Sequence, residues 1–401
     1  MKVCIATMVK NEALSLVEWI AYHQAIGVNN FIIANNESSD NTLELIQCLQ
    51  KVVNIVVFDF PTPKNERPQI PAFNKMLEDY KNQFDYMMFI DADEFVLPLN
   101  ENFHINDTID QLFDADVGAL AMNWCNYGSN GQIFRENGLV ISRFDRHAPI
   151  SMLENHHYKT LFRTDSVNRF VNPHHLELKK GIYINGKKEL LKNYEGRHGL
   201  SESVVWDNIR INHYVVKSLQ EYFVGKASRG NGSTVRPVDR KSYFLGYDRN
   251  EIHETMPRML VDRTYKKIYE ILIRLKRLTS ISGLESYFGE YIKEFEKIHY
   301  HIDRPDNFNK LQAEQTGLQL WAVSPLGLPL NLRVEHSNGS LYGVYEPNQR
   351  RDDVIKALSL NSEYEAVSNL CGFNYLLNLD QDMQLYIDNG ISRVRMEIKK
   401  A

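Results

Sequence analysis

Two aspartates separated by one residue are the first candidates for chemistry in this sequence. Asp91 and Asp93 come directly after the apolar run 86–90, which has the composition of a buried strand. Residues two apart on an extended chain point to the same side, so both carboxylates can share one divalent cation. Such a cation can bridge diphosphate oxygens and neutralise charge on a leaving group. Because an acidic loop can have the same residues by chance, a simple turn that binds no metal remains the alternative.

Amide side chains follow the second apolar run, 31–34. Asn35 and Asn36 can read the edge of a base or a ribose hydroxyl. Asp40 and Thr42 instead suit the cap and first turn of a helix. We therefore expect the two amides, more than the residues after them, to face a ligand.

A histidine followed by basic residues forms a third group, in which His213 precedes Lys217, Lys226 and Arg229. Histidine can complete the shell of a cation, and lysine or arginine can hold phosphates. The alternative is a surface histidine beside a basic helix.

The segment 123–131 combines aromatic residues, amides and glycines. Trp124 and Tyr127 can stack on a sugar ring and Ser129 can bind its hydroxyls, which predicts an acceptor or donor-sugar loop. A plain turn is an equal alternative. The histidine pairs at 156–157 and 174–175 do not predict zinc, because adjacent residues rarely face one ion together.

The scaffold for these residues is predicted by a regular alternation. Apolar strands at 2–9, 31–34, 54–58 and 86–90 alternate with helices at 12–26, from 42 onward and at 72–83. This pattern predicts a parallel α/β sheet that binds ligands at the carboxyl ends of its strands. Further strands are expected at 117–124, 139–144 and 158–163, which would make the sheet mixed.

The character of the chain changes near Pro257. Residues 258–300 predict packed helices with a basic, solvated face, for which contact with an anionic membrane surface is the alternative. A hairpin is expected across Asn338-Gly339. We therefore expect an α/β domain at 1–255, a helical segment at 256–304 and a β-rich accessory domain at 305–401. The final residues are compatible with a longer multidomain parent.

Composition narrows the classes of function. The chain has 401 residues and a formal net charge of −5, which argues against broad nucleic-acid binding. Its four dispersed cysteines indicate free thiols in a reducing compartment. The sequence shows neither a signal peptide nor an apolar span of membrane length. We expect a cytoplasmic protein, with peripheral contact at the inner face of the membrane as an extension.

Several short motifs also occur in a familiar order. They are Lys10-Asn11-Glu12, Glu18-Trp19-Ile20, Asn36-x-Ser38-x-Asp40-x-Thr42, Asp91-x-Asp93-Glu94-Phe95, Trp124-x-x-Tyr127-Gly128-Ser129, Lys159-x-x-x-Arg163 and His213-Tyr214-x-x-Lys217-Ser218. Across residues 1–235 this order resembles the family-2-like glycosyltransferases, specifically the branch close to family 92. The resemblance implies a GT-A fold and a nucleotide-sugar donor bound at the carboxyl edge of the sheet.

The resemblance also implies roles for individual residues. Thr7, Asn11 and Asn36 correspond to positions near the nucleoside, and Asp91, Asp93 and His213 to those at the donor diphosphate and its manganese or magnesium ion. The basic residues beside the diphosphate correspond to Lys217, Lys226 and Arg229. Arg67 and Gln69 correspond to positions that contact the base or the donor sugar. Family 2 commonly has aspartate where this chain has Asn35 and Asn36, so the contact with the base can differ.

The catalytic carboxylate has no clear match in this sequence. Glu136, Asp145, Glu154 and Asp207 are the candidates, of which Glu154 and Asp145 enter our predicted catalytic set with Asp91 and Asp93. An inverting displacement needs such a base within reach of the acceptor hydroxyl.

The hypothesis is a metal-dependent, inverting hexosyltransferase. It would move a hexose, galactose being the leading choice, from a UDP-sugar to a glycan or lipid-linked glycan in surface polysaccharide synthesis. One alternative is an inactive glycan-binding or scaffold protein on the same fold. The other is a sugar nucleotidyltransferase, although the first strand leads into Lys10-Asn11-Glu12 and not into a Gly-rich phosphate loop.

Overall fold

The computed structural model describes residues 1–63, 67–229, 239–278, 285–304, 316–358, 368, 370–377, 379 and 383–396. The chain forms two compact units, Met1–Lys267 and Ile268–Ala401. The domain boundaries expected at residues 255 and 304 stay predictions. No helix within the described ranges is long and apolar enough to cross a membrane. Each of the four cysteines is a free thiol.

The first unit is built from strands and helices that alternate over its first half. Its strands are β1 (Val3–Val9), β2 (Asn30–Asn35), β3 (Asn54–Asp59), β4 (Tyr86–Phe89), β5 (Glu94–Pro98), β6 (Val117–Asn126), β7 (Arg146–His147), β8 (Tyr158–Arg163), β9 (Val167–Phe170), β10 (Leu176–Leu178), β11 (Ile182–Ile184), β12 (Ile209–His213) and β13 (Ile252–His253). Its helices are α1 (Ala13–Ala25), α2 (Thr42–Leu49), α3 (Gln69–Tyr80), α4 (Ile105–Leu112), α5 (Val140–Arg143), α6 (Leu219–Glu221), α7 (Ala227–Arg229), α8 (Arg240–Tyr247) and α9 (Arg258–Leu278), which continues into the second unit.

A mixed sheet of nine strands lies at the centre of the first unit. Its order among the described residues is β3-β2-β1-β4-β8-β6-β12-β5, and β11 pairs with β6 as well. The strands β1 to β4 are parallel, as the apolar runs predict. The carboxyl ends of these four strands meet at one edge of the sheet. The predicted mixed α/β architecture is confirmed.

Helix α3 packs on the parallel half of the sheet through one apolar face. That face includes Phe73 and Met76, and both residues are fully buried. The Phe73 ring lies 5.0 Å from the Phe89 ring of β4 and 5.3 Å from the Phe170 ring of β9. This packing fixes the first residue of the helix, Gln69, beside the carboxyl end of β4.

The other half of the sheet brings together segments that are far apart in the sequence. Strand β12 runs antiparallel to β5 and parallel to β6, so His213 lies opposite Glu94 on one side and Asn126 on the other. Strand β8 runs antiparallel to both β4 and β6. These pairings determine which side chains reach the carboxyl end of β4.

Two of the predicted elements are wrong. Residues 139–144 form no strand, because the Glu18 carboxylate accepts hydrogen bonds from the backbone amides of Val140 at 2.8 Å and Ile141 at 3.1 Å. A carboxylate on these amides stabilises the first turn of a helix, and α5 forms there instead. The predicted helical stretch 258–300 also ends early, since the chain is extended from His299.

The second unit is rich in strands, as predicted. Its elements are α10 (Glu285–Phe295), β14 (His299–Arg304), β15 (Thr316–Val323), β16 (Asn331–His336), β17 (Leu341–Tyr345), β18 (Gln349–Arg350), α11 (Asp352–Ala357), β19 (Leu370–Leu377), β20 (Met383–Asp388) and β21 (Arg393–Arg395). They form two four-stranded antiparallel sheets, β14-β15-β19-β18 and β17-β16-β20-β21. The hairpin between β16 and β17 turns at Asn338-Gly339, where Gly339 has a φ of 84°.

Candidate active site

The Asp91–Asp93 pair lies in a tight turn between β4 and β5, not on an extended chain. The Glu94 amide donates to the Asp91 carbonyl at 3.0 Å, and the Glu94 carboxylate accepts from the Asp91 amide at 2.9 Å. Because the turn rotates the chain, the two aspartates face different ways, whereas the sequence predicted that they would face the same way. Each carboxylate has its own set of partners.

Asp91 is paired with Gln69 and Lys159. Its carboxylate accepts from Gln69 Nε2 at 2.9 Å and from Lys159 Nζ at 3.0 Å. Lys159 is fully buried in β8 and also lies 3.7 Å from the Glu94 carboxylate. Burial lowers the pKa of Lys159, but Asp91 and Glu94 outweigh it and raise that pKa overall, so the lysine stays a cation. Burial raises the pKa of Glu94 to about 8, although Lys159 opposes this.

Asp93 is paired with Lys226 and His213. Its Oδ2 accepts from Lys226 Nζ at 2.7 Å, and its Oδ1 lies 3.6 Å from His213 Nε2. Burial by itself would raise the pKa of Asp93, but Lys226 and His213 hold it well below its ordinary value. The Asp93 side chain is therefore a carboxylate although it is only 8% exposed.

His213 is a buried imidazole. Its Nδ1 lies 2.9 Å from Asn126 Oδ1, and its ring lies 4.2 Å from the Trp124 ring. Burial lowers the pKa of His213, and the attraction to Asp93 offsets this only in part. The alternative of a surface-exposed histidine is wrong, because residue 213 ends the buried strand β12.

The spacing of Asp93 and His213 fits two ligands of one divalent cation. Ligand atoms bonded to magnesium at about 2.1 Å lie roughly 3 Å apart, close to the observed 3.6 Å. Within the described ranges no three side chains of the metal-binding types cluster, so the chain offers this pair and no full cage. That is how magnesium commonly binds, with substrate phosphates and water supplying the other ligands.

The residues expected near the nucleoside connect loops of the protein to one another. Asn11 has a φ of 55°, and its Oδ1 accepts from the Ser39 amide at 2.7 Å. Asn36 donates to the Phe60 carbonyl at 2.9 Å. Thr7 is fully buried in β1. Asn11 and Asn36 thus lie at the carboxyl edge of the sheet, where they also hold its loops together.

The basic residues that were expected at the donor site are spread over several places. Of these predicted residues, Lys226 reaches Asp93, at 2.7 Å. Lys217 has a φ of 52°, and its Nζ donates to Ser15 Oγ at 3.3 Å. Arg67 is exposed in the loop before α3. The side chain of Arg229 and residue Gly230 lie outside the described part of the chain.

The position of Lys226 depends on a short, strongly capped helical segment. Ser218 and Glu221 form a capping box at the start of α6, which leads into the π-helical turn Tyr222–Lys226. The Glu221 carboxylate also accepts two hydrogen bonds from Arg143, at 3.0 and 2.8 Å. Such π-helical turns are rare and occur often at functional sites.

The expected sugar loop is more deeply buried than a sugar platform would be. Tyr127 is buried, and its hydroxyl accepts from Arg210 at 3.3 Å. Ser129 is also buried, with its Oγ accepting from the Gly131 amide. Trp124 is 7% exposed, and its Nε1 has no hydrogen-bond partner among the described residues. Of the three, Trp124 thus has a buried polar atom that no described residue satisfies.

Two histidines that the sequence reading set aside lie beside Trp124. The His157 ring stacks on the indole at 4.8 Å, and the His174 ring meets it edge-on at 5.2 Å. Burial lowers the pKa of both rings. Their neighbours His156 and His175 bond elsewhere, to Ser201 and Tyr158. His156 ends a short 3₁₀ helix and His174 lies in a bend, so strand alternation in the sequence could not have selected one histidine of each pair.

The four candidate bases differ sharply in their contacts. Asp145 accepts from Asn130 at 2.6 Å and lies 3.0 Å from His253 Nε2. Asp207 lies 3.7 Å from the Lys187 ammonium, and Glu136 is exposed. Glu154 is half-buried, its side chain makes no hydrogen bond within the described ranges, and its backbone carbonyl lies 3.1 Å from His157 Nδ1. Glu154 is therefore the carboxylate left available near the Trp124 cluster.

The Arg143–Glu221 pair predicts a specific dependence of stability on acid. Hydrogen bonds and charge from Arg143 overcome the opposing effect of burial and lower the pKa of Glu221 from 4.5 to about 2. A lowered carboxyl pKa stabilises the fold above pH 4.5, and this contribution disappears as the pH falls toward about 2. We expect Glu221→Gln to lose on the order of 3 kcal/mol at neutral pH and nothing at pH 2. Urea unfolding at several pH values measures the difference, and a constant difference would contradict the assignment.

Comparisons with known proteins match the part of the chain that contains this site. The profile of glycosyltransferase family 92 matches residues 1–226. A family 92 protein of Oryza sativa subsp. japonica is 26% identical over 257 residues, covering 60% of this chain and 41% of the relative. One of Ricinus communis is 26% identical over 251 residues, with 59% and 43% covered. This chain thus spans less than half of the length of either relative.

Among solved structures, the crystal structure of S. aureus TarS aligns over 98% of this chain and 77% of that chain, with a TM-score of 0.32 and 10% identity. The family match carries the assignment, because it covers more than half of the 401 residues and includes both aspartates and His213. The predicted resemblance is confirmed, and this chain belongs to glycosyltransferase family 92.

Proposed function

We propose that this protein is a metal-dependent glycosyltransferase that moves a hexose from a UDP-sugar to a glycan acceptor. The observation that carries the proposal is the spacing of Asp93 Oδ1 and His213 Nε2, 3.6 Å apart, with Lys226 beside Asp93. The pair stands next to the carboxyl ends of the parallel strands, where ligands of open α/β sheets bind.

The two aspartates would have different tasks. Asp91 is neutralised by Lys159, which is 0% exposed and has no room to leave. Asp93 is neutralised by Lys226, which is 30% exposed and ends a π-helical turn. Asp93 is therefore the carboxylate that can exchange its partner when a donor arrives. Lys226 would then turn from Asp93 to the donor diphosphate, which lysine binds as a point charge.

A divalent cation held by Asp93 and His213 would neutralise the charge that develops on the departing diphosphate. In the transfer step, the Glu154 carboxylate takes the proton of an acceptor hydroxyl. That oxygen then attacks the anomeric carbon from the face opposite the diphosphate, whose bond to this carbon breaks. The products are an inverted glycoside, UDP and a proton on Glu154.

The Trp124 cluster supports a sugar site beside this centre. The indole Nε1 is a free donor among the described residues, and the neutral rings of His157 and His174 can donate or accept. Galactose as the hexose, and a surface polysaccharide or lipid-linked glycan as the acceptor, rest on the resemblance to family 92. A cytoplasmic location, with contact at the membrane surface, belongs to the same proposal.

The first prediction of this proposal concerns Asp93. Asp93→Asn keeps the shape of the side chain but removes the charge, so UDP release from a panel of UDP-sugars with manganese should fall by at least about 100-fold. The exposed Asp79→Asn is the matched control and should retain activity. If the Asp93 variant still released UDP in a manganese-dependent reaction, the assignment of Asp93 as a ligand of the cation would be wrong.

A second prediction separates the two predicted bases. Glu154→Gln should lower kcat for transfer by about 10²–10⁴ while donor binding, measured by calorimetry, stays unchanged. Asp145→Asn should keep near-normal kcat, because Asp145 is already occupied by Asn130 and His253. If the Asp145 variant lost transfer and the Glu154 variant kept it, the roles would be reversed.

A further inference from the structure

His213 is held by a chain of two buried asparagines that starts from a backbone amide. The Asn126 amide N–H donates to Asn155 at 3.1 Å, and an N–H can only donate, so the Asn155 atom there is Oδ1. The Nδ2 of Asn155 faces the Pro149 carbonyl at 3.0 Å, as this orientation requires. The orientation of Asn155 is thus fixed from both ends.

The orientation of Asn126 follows from that of Asn155. Asn155 Oδ1 can only accept, so the side-chain atom of Asn126 that lies 2.8 Å from it is the donor Nδ2. Asn126 Oδ1 then faces His213 Nδ1 at 2.9 Å. Because an amide oxygen can only accept, Nδ1 of His213 carries a proton, and a ring with one proton has it there.

The remaining ring nitrogen carries a lone pair, and it is the one that faces the site. Nε2 of His213 lies 3.6 Å from Asp93 Oδ1. An imidazole with its proton on Nε2 would donate to Asp93 and could not ligate a cation. The register of β6 and β12 places Asn126 directly beside His213, and both Asn126 and Asn155 are fully buried.

We propose that Asn126 and Asn155 are positioning residues that fix the Nδ1–H tautomer of His213 and thereby keep its Nε2 open for the cation. This inference rests on the proposed function for the identity of the ligand, but the tautomer itself does not. Outer partners that orient a ligating histidine are commonly worth 10–100-fold in metal affinity, so about that loss is expected here.

The tautomer can be read in the metal-free protein. Long-range 1H–15N NMR spectra of the full chain with 15N-labelled histidine distinguish protonated from bare ring nitrogens, and His213→Ala identifies the relevant signals. We expect a protonated Nδ1 and a bare Nε2 in the wild type, and a shift of the proton toward Nε2 in Asn126→Leu. A wild-type proton on Nε2, or an unchanged spectrum in the variant, would overturn the relay.

Two further variants distinguish a change of tautomer from a loss of folding. Asn185→Leu removes another buried asparagine, one that bonds within its own turn, so it should leave the His213 signals unchanged. Should Asn126→Leu not fold, Asn155→Ala tests the same relay. It leaves Asn126 in place but frees its amide to rotate, which should also mix the tautomers.

Manganese binding provides the second readout. Asn126→Leu should weaken binding by about 10–100-fold in the wild-type background and have no effect in the His213→Ala background. Equal losses in both backgrounds would mean that Asn126 acts on stability alone, and would overturn the proposal. A wild type that binds no manganese would refute the cation site and the proposed function, while the NMR result still decides the asparagine relay.

Discussion

The candidate site depends on how the charges of Asp91 and Asp93 are balanced beside the buried Glu94. Asp91, Asp93 and Glu94 follow a buried strand, and Glu94 is completely enclosed. An unpaired carboxylate in such surroundings costs several kcal/mol. Lys159 reaches two of the three from β8, and Lys226 reaches the third from the turn after α6. Both halves of the mixed sheet must form before this balance exists.

The lysine partners also distinguish two parts of the motif formed by Asp91, Asp93 and Glu94. The inner lysine, Lys159, is completely buried and pairs with Asp91 and Glu94, so in our proposal those two carboxylates hold the turn. The outer lysine is partly exposed, and its partner Asp93 stands beside an imidazole that can act as a ligand. The same short motif thus contains a structural half and a half that can exchange partners.

Local patterns predicted the parallel half of the sheet well. The first four strands and the helices between them are periodic in hydrophobicity, and the polar ends of the strands pointed to the edge that carries Asp91. His213 and Lys226 were selected as a histidine followed by basic residues, and the resemblance to family 92 implied their place at the donor diphosphate. Neither step could supply the pairing of β5 with β12, because residues 94 and 213 meet only through long-range strand order. The mutual orientation of Asp93 and His213 could therefore not be predicted from the sequence.

The errors have equally local causes. Residues 139–144 have the composition of a strand, but a carboxylate from α1 caps them as a helix, and that contact is invisible in the sequence. Tyr127 and Ser129 have sugar-binding chemistry, yet their polar atoms are used inside the protein. Glu154 was one carboxylate among four until its lack of partners in the described chain set it apart.

Diffraction at the manganese absorption edge, from crystals soaked with manganese and UDP, tests the central claim most directly. We predict an anomalous peak from manganese between Asp93 Oδ1 and His213 Nε2, with Lys226 moved onto the diphosphate. A UDP complex in which Lys226 still binds Asp93, with no peak at that position, would contradict it.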